Sequence, residues 1–372
     1  MRGLVLEALG AVALRHDLPD PTIEAPTDAL VAVHAAGLCG SDLHPYLGRE
    51  PARLGVVTGH EAVGEVVAVG RDITEVAVGD RVLVPFTTCC GACPTCRRGL
   101  TARCPDGQLF GWGDPDRPAA PGLHGGQAEL LRVPLADATL VPVAEGVDDQ
   151  TAVLLTDNLP TAWEAVARAA PRPGAPLLVV GLGSVGLCAV VAASHAGATP
   201  IVAVDPVADR RARAARLGAA VVAAPEDAIA VVHEVVGTDH ETGEVPDAAR
   251  GTDRPAAPLL AAVDAAGALP AQRLAFDLLA PGGTLSVIAV PTDQRFAFTP
   301  PEAYDRNVTV RAGRASVRAT LERLLPRVTS GEVRPPTEVV VTHLDAALDD
   351  GPELYRRFAA REDGLVKAVF RP

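Results

Sequence analysis

The segment Leu177-Leu178-Val179-Val180-Gly181-Leu182-Gly183-Ser184-Val185-Gly186 decides how this chain folds. A helical pattern to about Ala196 follows it, and then Ile201-Val202-Ala203-Val204-Asp205. Four consecutive apolar residues read as a short buried strand. The Gly-x-Gly-x-x-Gly turn leads from it into a helix, and a second apolar run ends in an acid nineteen residues after Gly186. Strand, glycine turn, helix, strand and carboxylate in that order form the fingerprint of a βαβ unit that binds a dinucleotide. Gly181 permits the tight turn, Gly183 lets the main chain approach the pyrophosphate, and Gly186 lets helix and strand pack closely. Ser184 and Val185 complete the loop, where free N–H groups and the positive helix end favour phosphate. Asp205 is placed to accept from the adenosine ribose hydroxyls and to repel a 2′-phosphate, which favours NAD. Arg210 and Arg211 lie just behind it and keep NADP as the alternative.

Outward from this unit, residues 261–267 and 283–289 supply two more strands, so an α/β domain with a doubly wound parallel sheet is expected. Residues 237–258, polar and rich in Gly, Pro, Asp and Thr, read as a surface insertion. The first 155 residues look different. Short apolar runs at 29–36 and 62–69 are split by Gly, Pro and Asp, and a Gly79-Asp80 turn enters the run 81–84. Nothing there alternates strand with helix, so a compact β-rich, barrel-like domain is expected. After 316 comes one helix-like run, 317–330, and then mixed strands ending at 365–370. That tail is too short for a core of its own and should return to the first domain. The expected division is 1–156, 157–315 and 316–372.

The length of 372 residues suits two domains, and 48% hydrophobic residues supply their cores. Aromatics are only 3%, so those cores are mostly Ala, Val and Leu. The net charge of −13 argues against nucleic acid or an anionic membrane as partner. No run of 18 apolar residues exists to span a bilayer. Glu7 interrupts the apolar stretch at 1–14, which reads as opening strands of a soluble, cytoplasmic protein. Of the 33 basic residues only Lys367 is a lysine, as an Arg- and Ala-rich coding bias would give.

Five of the seven cysteines lie between 89 and 104. Cys90-x2-Cys93-x2-Cys96-x7-Cys104 has the spacing of a closed four-thiolate site, which points to structural zinc. An iron–sulfur cluster is the rival, but the ferredoxin run places its fourth Cys after three residues, not seven. Arg97, Arg98 and Arg103 can offset the thiolate charge. Adjacent cysteines seldom bind one ion together, so Cys90 is taken as the ligand and Cys89 as packing. Elsewhere Cys39-Gly40-Ser41-Asp42-Leu43-His44, Gly59-His60-Glu61 and Thr156-Asp157 offer a thiolate, an imidazole and a carboxylate from separate loops. Such a set can hold a second zinc, formally neutral, with its fourth position open. Asp157 can equally cap the helix that Asn158-Leu159-Pro160 opens.

These motifs, with the four-Cys loop and the glycine fingerprint, resemble the zinc-dependent medium-chain alcohol dehydrogenase family over nearly the whole chain. The segment Leu155-Thr156-Asp157-Asn158-Leu159-Pro160-Thr161 looks most like the glutathione-independent formaldehyde dehydrogenase branch, in which an Asp is the third zinc ligand. The resemblance implies a GroES-like catalytic domain, a Rossmann domain and a return to the catalytic domain. It implies that Cys39, His60 and Asp157 hold catalytic zinc, with Glu61 behind the metal and Asp42 orienting His60. Ser41 and His44 match a proton relay that runs through a cofactor ribose hydroxyl. Phe86 falls at a substrate-pocket position, and Trp112 is a candidate by proximity alone, at the head of a Pro-rich loop, 112–122. Thr161 should sit near the nicotinamide. Lys367 falls where the family places a basic residue near the pyrophosphate, against a plain reading as a solvated edge-strand residue.

The implied activity is hydride transfer between an alcohol, or the matching aldehyde or ketone, and NAD(H). Three alternatives stand beside it. One is an NADPH-dependent biosynthetic reductase of a larger carbonyl, imine or alkene. Another is a dismutase with tightly bound NAD, and the third is a non-catalytic nucleotide-binding protein. A homodimer or homotetramer is implied, joined through Rossmann edge strands, with residues 286–291 as the candidate edge.

Overall fold

The computed structural model describes every residue except 52, 113–122, 144, 237–257, 292 and 363. The Pro-rich loop after Trp112 and nearly all of the expected insertion at 237–258 therefore lie outside the described residues. The chain forms two units, Met1–Pro160 with Ser316–Pro372, and Thr161–Ala315. The first boundary falls just after Pro160, so Asp157 belongs with the first unit.

The first unit contains β1 (Gly3–Ala8), β2 (Ala11–Arg15), β3 (Ala29–Leu38), β4 (Ala62–Val69), β5 (Arg81–Val84), β6 (Leu130–Val133) and β7 (Val141–Pro142). The second contains β8 (Leu177–Val180), β9 (Ile201–Val204), β10 (Val221–Ala223), β11 (Ala261–Asp264), β12 (Thr284–Val287) and β13 (Thr309–Ala312). β14 (His343–Ala347) and β15 (Ala368–Arg371) belong again to the first unit.

In the first unit one sheet runs β14-β15-β3-β4-β5-β7, with β6 also paired to β3. β3 is ten residues long, and its first residues alternate between buried and half-buried, as a strand with one face on a core should. Its buried side chains pack with Val66, Val82 and Leu131. The C-terminal tail completes this sheet: β15 pairs antiparallel with β3, Ala368 opposite Leu38 and Val369 opposite Gly37. That register brings Lys367, one residue before β15, alongside the end of β3 that leads to Cys39.

In the second unit, six parallel strands among the described residues run β10-β9-β8-β11-β12-β13, the doubly wound order. β8, β9 and β11 are buried along their whole length, as strands covered on both faces must be. The order reverses between β8 and β11, where such sheets bind dinucleotides. Ser286 and Val287 belong to β12, which pairs with both β11 and β13, so the expected edge at 286–291 does not lie in that strand; among the described residues the edge strands are β10 and β13. Gly181 has φ +90°, a conformation that costs a Cβ-bearing residue energy. A Cβ on Gly186 would lie 1.8 Å from the Gly181 carbonyl oxygen, whereas one on Gly183 would meet nothing within 4 Å.

This contrast separates packing from ligand approach. Gly186→Ala should lower stability by about 1–3 kcal/mol, because helix and strand must move apart. Gly183→Ala should melt like the parent and still weaken dinucleotide binding. Thermal melts and a dinucleotide titration of both variants check this.

Candidate active site

Two groups of metal-ligating side chains occur among the described residues, each with its donor atoms within 4.8 Å of one another. The first is Cys90, Cys93, Cys96 and Cys104. The loop is wound so that its own main chain feeds the sulfurs: Cys93 N–H donates to Cys90 Sγ, Cys96 N–H to Cys93 Sγ, both at 3.4 Å, and Cys90 N–H to Cys104 Sγ at 3.3 Å. The bond from the Cys96 N–H draws the Cys93 thiol down to about 7, so a thiolate forms there readily. Cys89 takes no part. Its thiol donates to the Ala138 carbonyl at 3.3 Å, and its own N–H donates to Thr139 Oγ1.

The second group is Cys39, His60, Glu61 and Asp157, all buried. Cys39 follows β3 and opens a single 3-10 turn. His60 and Glu61 precede β4. Asp157 ends the helix Asp149–Thr156, immediately before the helix Asn158–Ala169. Asp157 Oδ2 lies 3.5 Å from Cys39 Sγ and 3.6 Å from His60 Nε2. The other ring nitrogen of His60 is 2.9 Å from Asp42 Oδ1, and Asp42 Oδ2 accepts the Cys39 N–H at 2.9 Å. One carboxylate thus fixes two of the donors and turns His60 Nε2 toward the cluster, as metal-binding imidazoles require. Burial opposes charge on His60, but Asp42, Asp157 and Cys39 together hold its pKa well above the ordinary histidine value. A buried site with this many acidic donors fits a divalent cation, and the thiolate, imidazole and carboxylate set fits zinc.

The remaining sequence candidates fall into place unevenly. Ser41 Oγ is 3.1 Å from His60 Nε2 and 3.4 Å from Cys39 Sγ. Phe86 and Trp112, both buried, meet the His60 ring edge-on, with centroids 6.3 and 5.4 Å away, and Glu50 accepts the Trp112 indole N–H. His44 lies in the turn Leu43–Tyr46. Its Nδ1 is buried without a partner, and burial pushes its pKa below the usual value. Thr161 is buried in the helix Asn158–Ala169.

In the second unit Asp205 follows β9 as expected. Its two oxygens accept the N–H groups of Leu182, at 2.7 Å, and Val207, at 2.8 Å, so it also clips the glycine turn to the next strand. Arg211 donates to the main-chain carbonyls of Asp205 and Pro206. Arg210 is half-buried. Ser184 and Val185 open the helix Ser184–His195, which has no side-chain cap on its first N–H groups.

Lys367 is corrected. It is not a solvated edge-strand residue. Its side chain is 0% exposed, and its Nζ donates to Glu61 Oε2. Two further residues were missed. Asn158 Nδ2 donates to Glu61 Oε1 at 2.8 Å and to Asp157 Oδ2 at 3.2 Å, and lies 3.7 Å from Cys39 Sγ. Gly37 leaves the space into which Glu61 fits: a Cβ there would fall 1.7 Å from Glu61 Oε2. In the sequence Asp157 is the possible cap and Asn158 merely the first residue of the helix, which hid the first. No local pattern marks the second.

A buried thiolate–imidazole–carboxylate centre on one unit and a dinucleotide fold in the other define a metal- and dinucleotide-dependent oxidoreductase. Residues 25–144 match the alcohol dehydrogenase GroES-like domain and residues 184–330 the zinc-binding dehydrogenase domain. A probable zinc-binding alcohol dehydrogenase of Mycobacterium tuberculosis is 36% identical over 373 residues, 100% of this chain and 89% of that protein. The alcohol dehydrogenase TADH from Thermus sp. ATN1 has a TM-score of 0.85 at 33% identity, covering 100% of this chain and 99% of that one. A glutathione-independent formaldehyde dehydrogenase of Pseudomonas aeruginosa is 34% identical over 235 residues, 58% of this chain and 57% of its own length. The chain belongs to the zinc-type alcohol dehydrogenases of the medium-chain family, and it is a zinc-dependent oxidoreductase.

Two independent donor sets predict two zinc ions per chain by elemental analysis. Cys93→Ser should remove one of them and lower the melting temperature more than it alters turnover of the folded fraction, because a closed site contributes folding free energy.

Proposed function

We propose that the protein oxidises a small alcohol with NAD⁺, or in reverse reduces the aldehyde or ketone, at a site where Cys39, His60 and Asp157 hold zinc. The observation that carries this reading is the convergence of Cys39 Sγ, His60 Nε2 and Asp157 Oδ2 in a buried cluster whose imidazole is already oriented by Asp42. Zinc, when bound, supplies a Lewis acid that polarises the substrate oxygen. The other functions belong to the chain. Asp42 keeps the His60 tautomer fixed. Phe86 and Trp112 offer apolar surface beside the metal ligands and exclude water. Ser41, whose hydroxyl already touches two of the donors, is the first acceptor for the substrate proton. His44, held neutral at pH 7 by burial, is able to take that proton onward.

NAD is the preferred cofactor on this reading, because Asp205 puts a carboxylate after β9. Ligand thiols that must stay reduced support a cytoplasmic setting. The open edge of β13 offers main-chain groups for pairing a second copy into a homodimer or homotetramer, which sedimentation would read.

Asp157→Asn tests the ligand assignment. Asn caps helices about as well as Asp, so a capping role predicts full zinc content and activity. As a ligand, Asp157 predicts loss of the second zinc or of most of kcat, with the four-Cys zinc retained. Cofactor choice is read separately by Asp205→Asn, which keeps an acceptor for a main-chain N–H but removes the charge. The NAD-to-NADP ratio of kcat/KM should fall; a parent enzyme that already favours NADP overturns the assignment.

A further inference from the structure

Gly125-Gly126-Gln127 runs against the segment that carries His60. The Gly125 N–H donates to the Val57 carbonyl at 2.8 Å, the Gly126 N–H to that of Gly59 at 3.0 Å, and the Gln127 N–H to that of Thr58 at 3.0 Å. The approach is too close for side chains. A Cβ on Gly125 would lie 2.1 Å from the Gly59 carbonyl oxygen and 2.2 Å from that of Thr58. On the other side, the Gln127 side chain fills the space beside Gly59, where a Cβ would fall 2.4 Å from Gln127 Cγ. The same side chain reaches the stem of the other ligand. Gly37, two residues before Cys39, is tied to both flanks of His60. Its N–H donates to the Glu61 carbonyl at 3.0 Å, after His60. Its carbonyl accepts from Gln127 Nε2 at 2.9 Å, while Gln127 Oε1 accepts the Thr58 hydroxyl at 2.6 Å, before His60. Gln127 Oε1 also accepts the Tyr355 hydroxyl at 2.8 Å, from the helix Gly351–Ala359. Gln127 and Tyr355 are 0% exposed, so these bonds compete with no solvent, and losing one strands a buried polar atom.

We propose that Gln127, acting with Thr58, is a positioning residue of the metal site that sets the separation of the two main-chain stems bearing Cys39 and His60. The proposal rests on the zinc-site reading above. Asp42 orients the donor groups themselves, through the Cys39 N–H and the His60 ring. Gln127 works one step further out, on the backbone from which those side chains project. A site whose sulfur and imidazole already converge spends less of its binding free energy on ordering them, so the amide contributes to metal affinity without touching the ion.

The test separates zinc affinity from stability. Zinc is titrated in zinc-buffered solution on the full chain and its variants, with the four-Cys zinc and a thermal melt read in parallel. Gln127→Met keeps the length of the side chain and removes its polar atoms. It should weaken the second zinc at least about tenfold and leave the four-Cys ion in place. Thr58→Val removes one hydroxyl and should weaken the same ion. The double variant should lose no more than Gln127→Met alone, because Thr58 acts through Gln127. Two controls lower stability without cutting the link between the stems. Tyr355→Phe leaves Gln127 bonded to Gly37 and Thr58, and Val82→Ala opens a cavity at a fully buried position of β5. Both should melt lower than the parent and bind the second zinc as tightly. Should Gln127→Met lose its four-Cys zinc and fail to fold, Thr58→Val against the two controls gives the answer. A folded Gln127→Met chain with the parent's affinity, or a loss that Tyr355→Phe or Val82→Ala matches, overturns the proposal. A Cys39→Ser chain that keeps both zinc ions at the parent's affinity instead overturns the ligand assignment beneath it.

Discussion

Charge compensation among buried side chains is the constraint on which the catalytic unit is built. Cys39, Asp42, His60, Glu61, Asp157 and Lys367 are all buried, within a few contacts of one another. An isolated ion in such surroundings is strongly disfavoured, so each group must find a partner or a cation. Asp42 is matched by His60 and by the Cys39 N–H, and Glu61 by Lys367 and Asn158. Burial raises the pKa of the Cys39 thiol, and Asp157 Oδ2 lies 3.5 Å from that sulfur and 3.2 Å from the Asn158 amide nitrogen. On the proposed ligand set, two anionic ligands and a neutral imidazole would balance the charge of a divalent ion.

The first unit serves this arrangement by bringing distant stretches of chain to one place. β3 delivers Cys39 from its end and provides Gly37, while β4 starts directly after Glu61. β15 pairs with β3, and that pairing puts Lys367 beside Gly37. A buried network under the same glycine adds rigidity. Gln127 donates to the Gly37 carbonyl at 2.9 Å and accepts from Tyr355 at 2.8 Å and from Thr58 at 2.6 Å. Every member of that network is buried. Losing one partner would leave an unsatisfied polar atom, so the network resists movement of β3 relative to the segments that carry Thr58, Gln127 and Tyr355.

Local chemistry made part of this legible in the sequence. The glycine fingerprint, Asp205 and the four-Cys spacing are short motifs whose function depends on neighbours in the chain, and the structure puts them in the expected elements. Adjacent thiols seldom share one ion, which left one of Cys89 and Cys90 outside the site, and the structure groups Cys90 with the other three sulfurs. Position of the edge strand was not legible: residues 286–291 have the apolar character of any parallel strand, and only the sheet order shows that Ser286 and Val287 pair with β13. Lys367 was misread for a related reason. A lone cation before a C-terminal strand carries no local sign of burial, and its partner lies 306 residues away.

Asn158 shows where reading by motif stops. Asp157 accounts for a cap at this helix start, so Asn158 reads only as the residue that opens the helix before Leu159-Pro160. Its side chain spends its amide on Glu61 and Asp157, and its Oδ1 is buried without a partner. An orphaned buried acceptor costs free energy, and the two amide bonds into the cluster are what offset it.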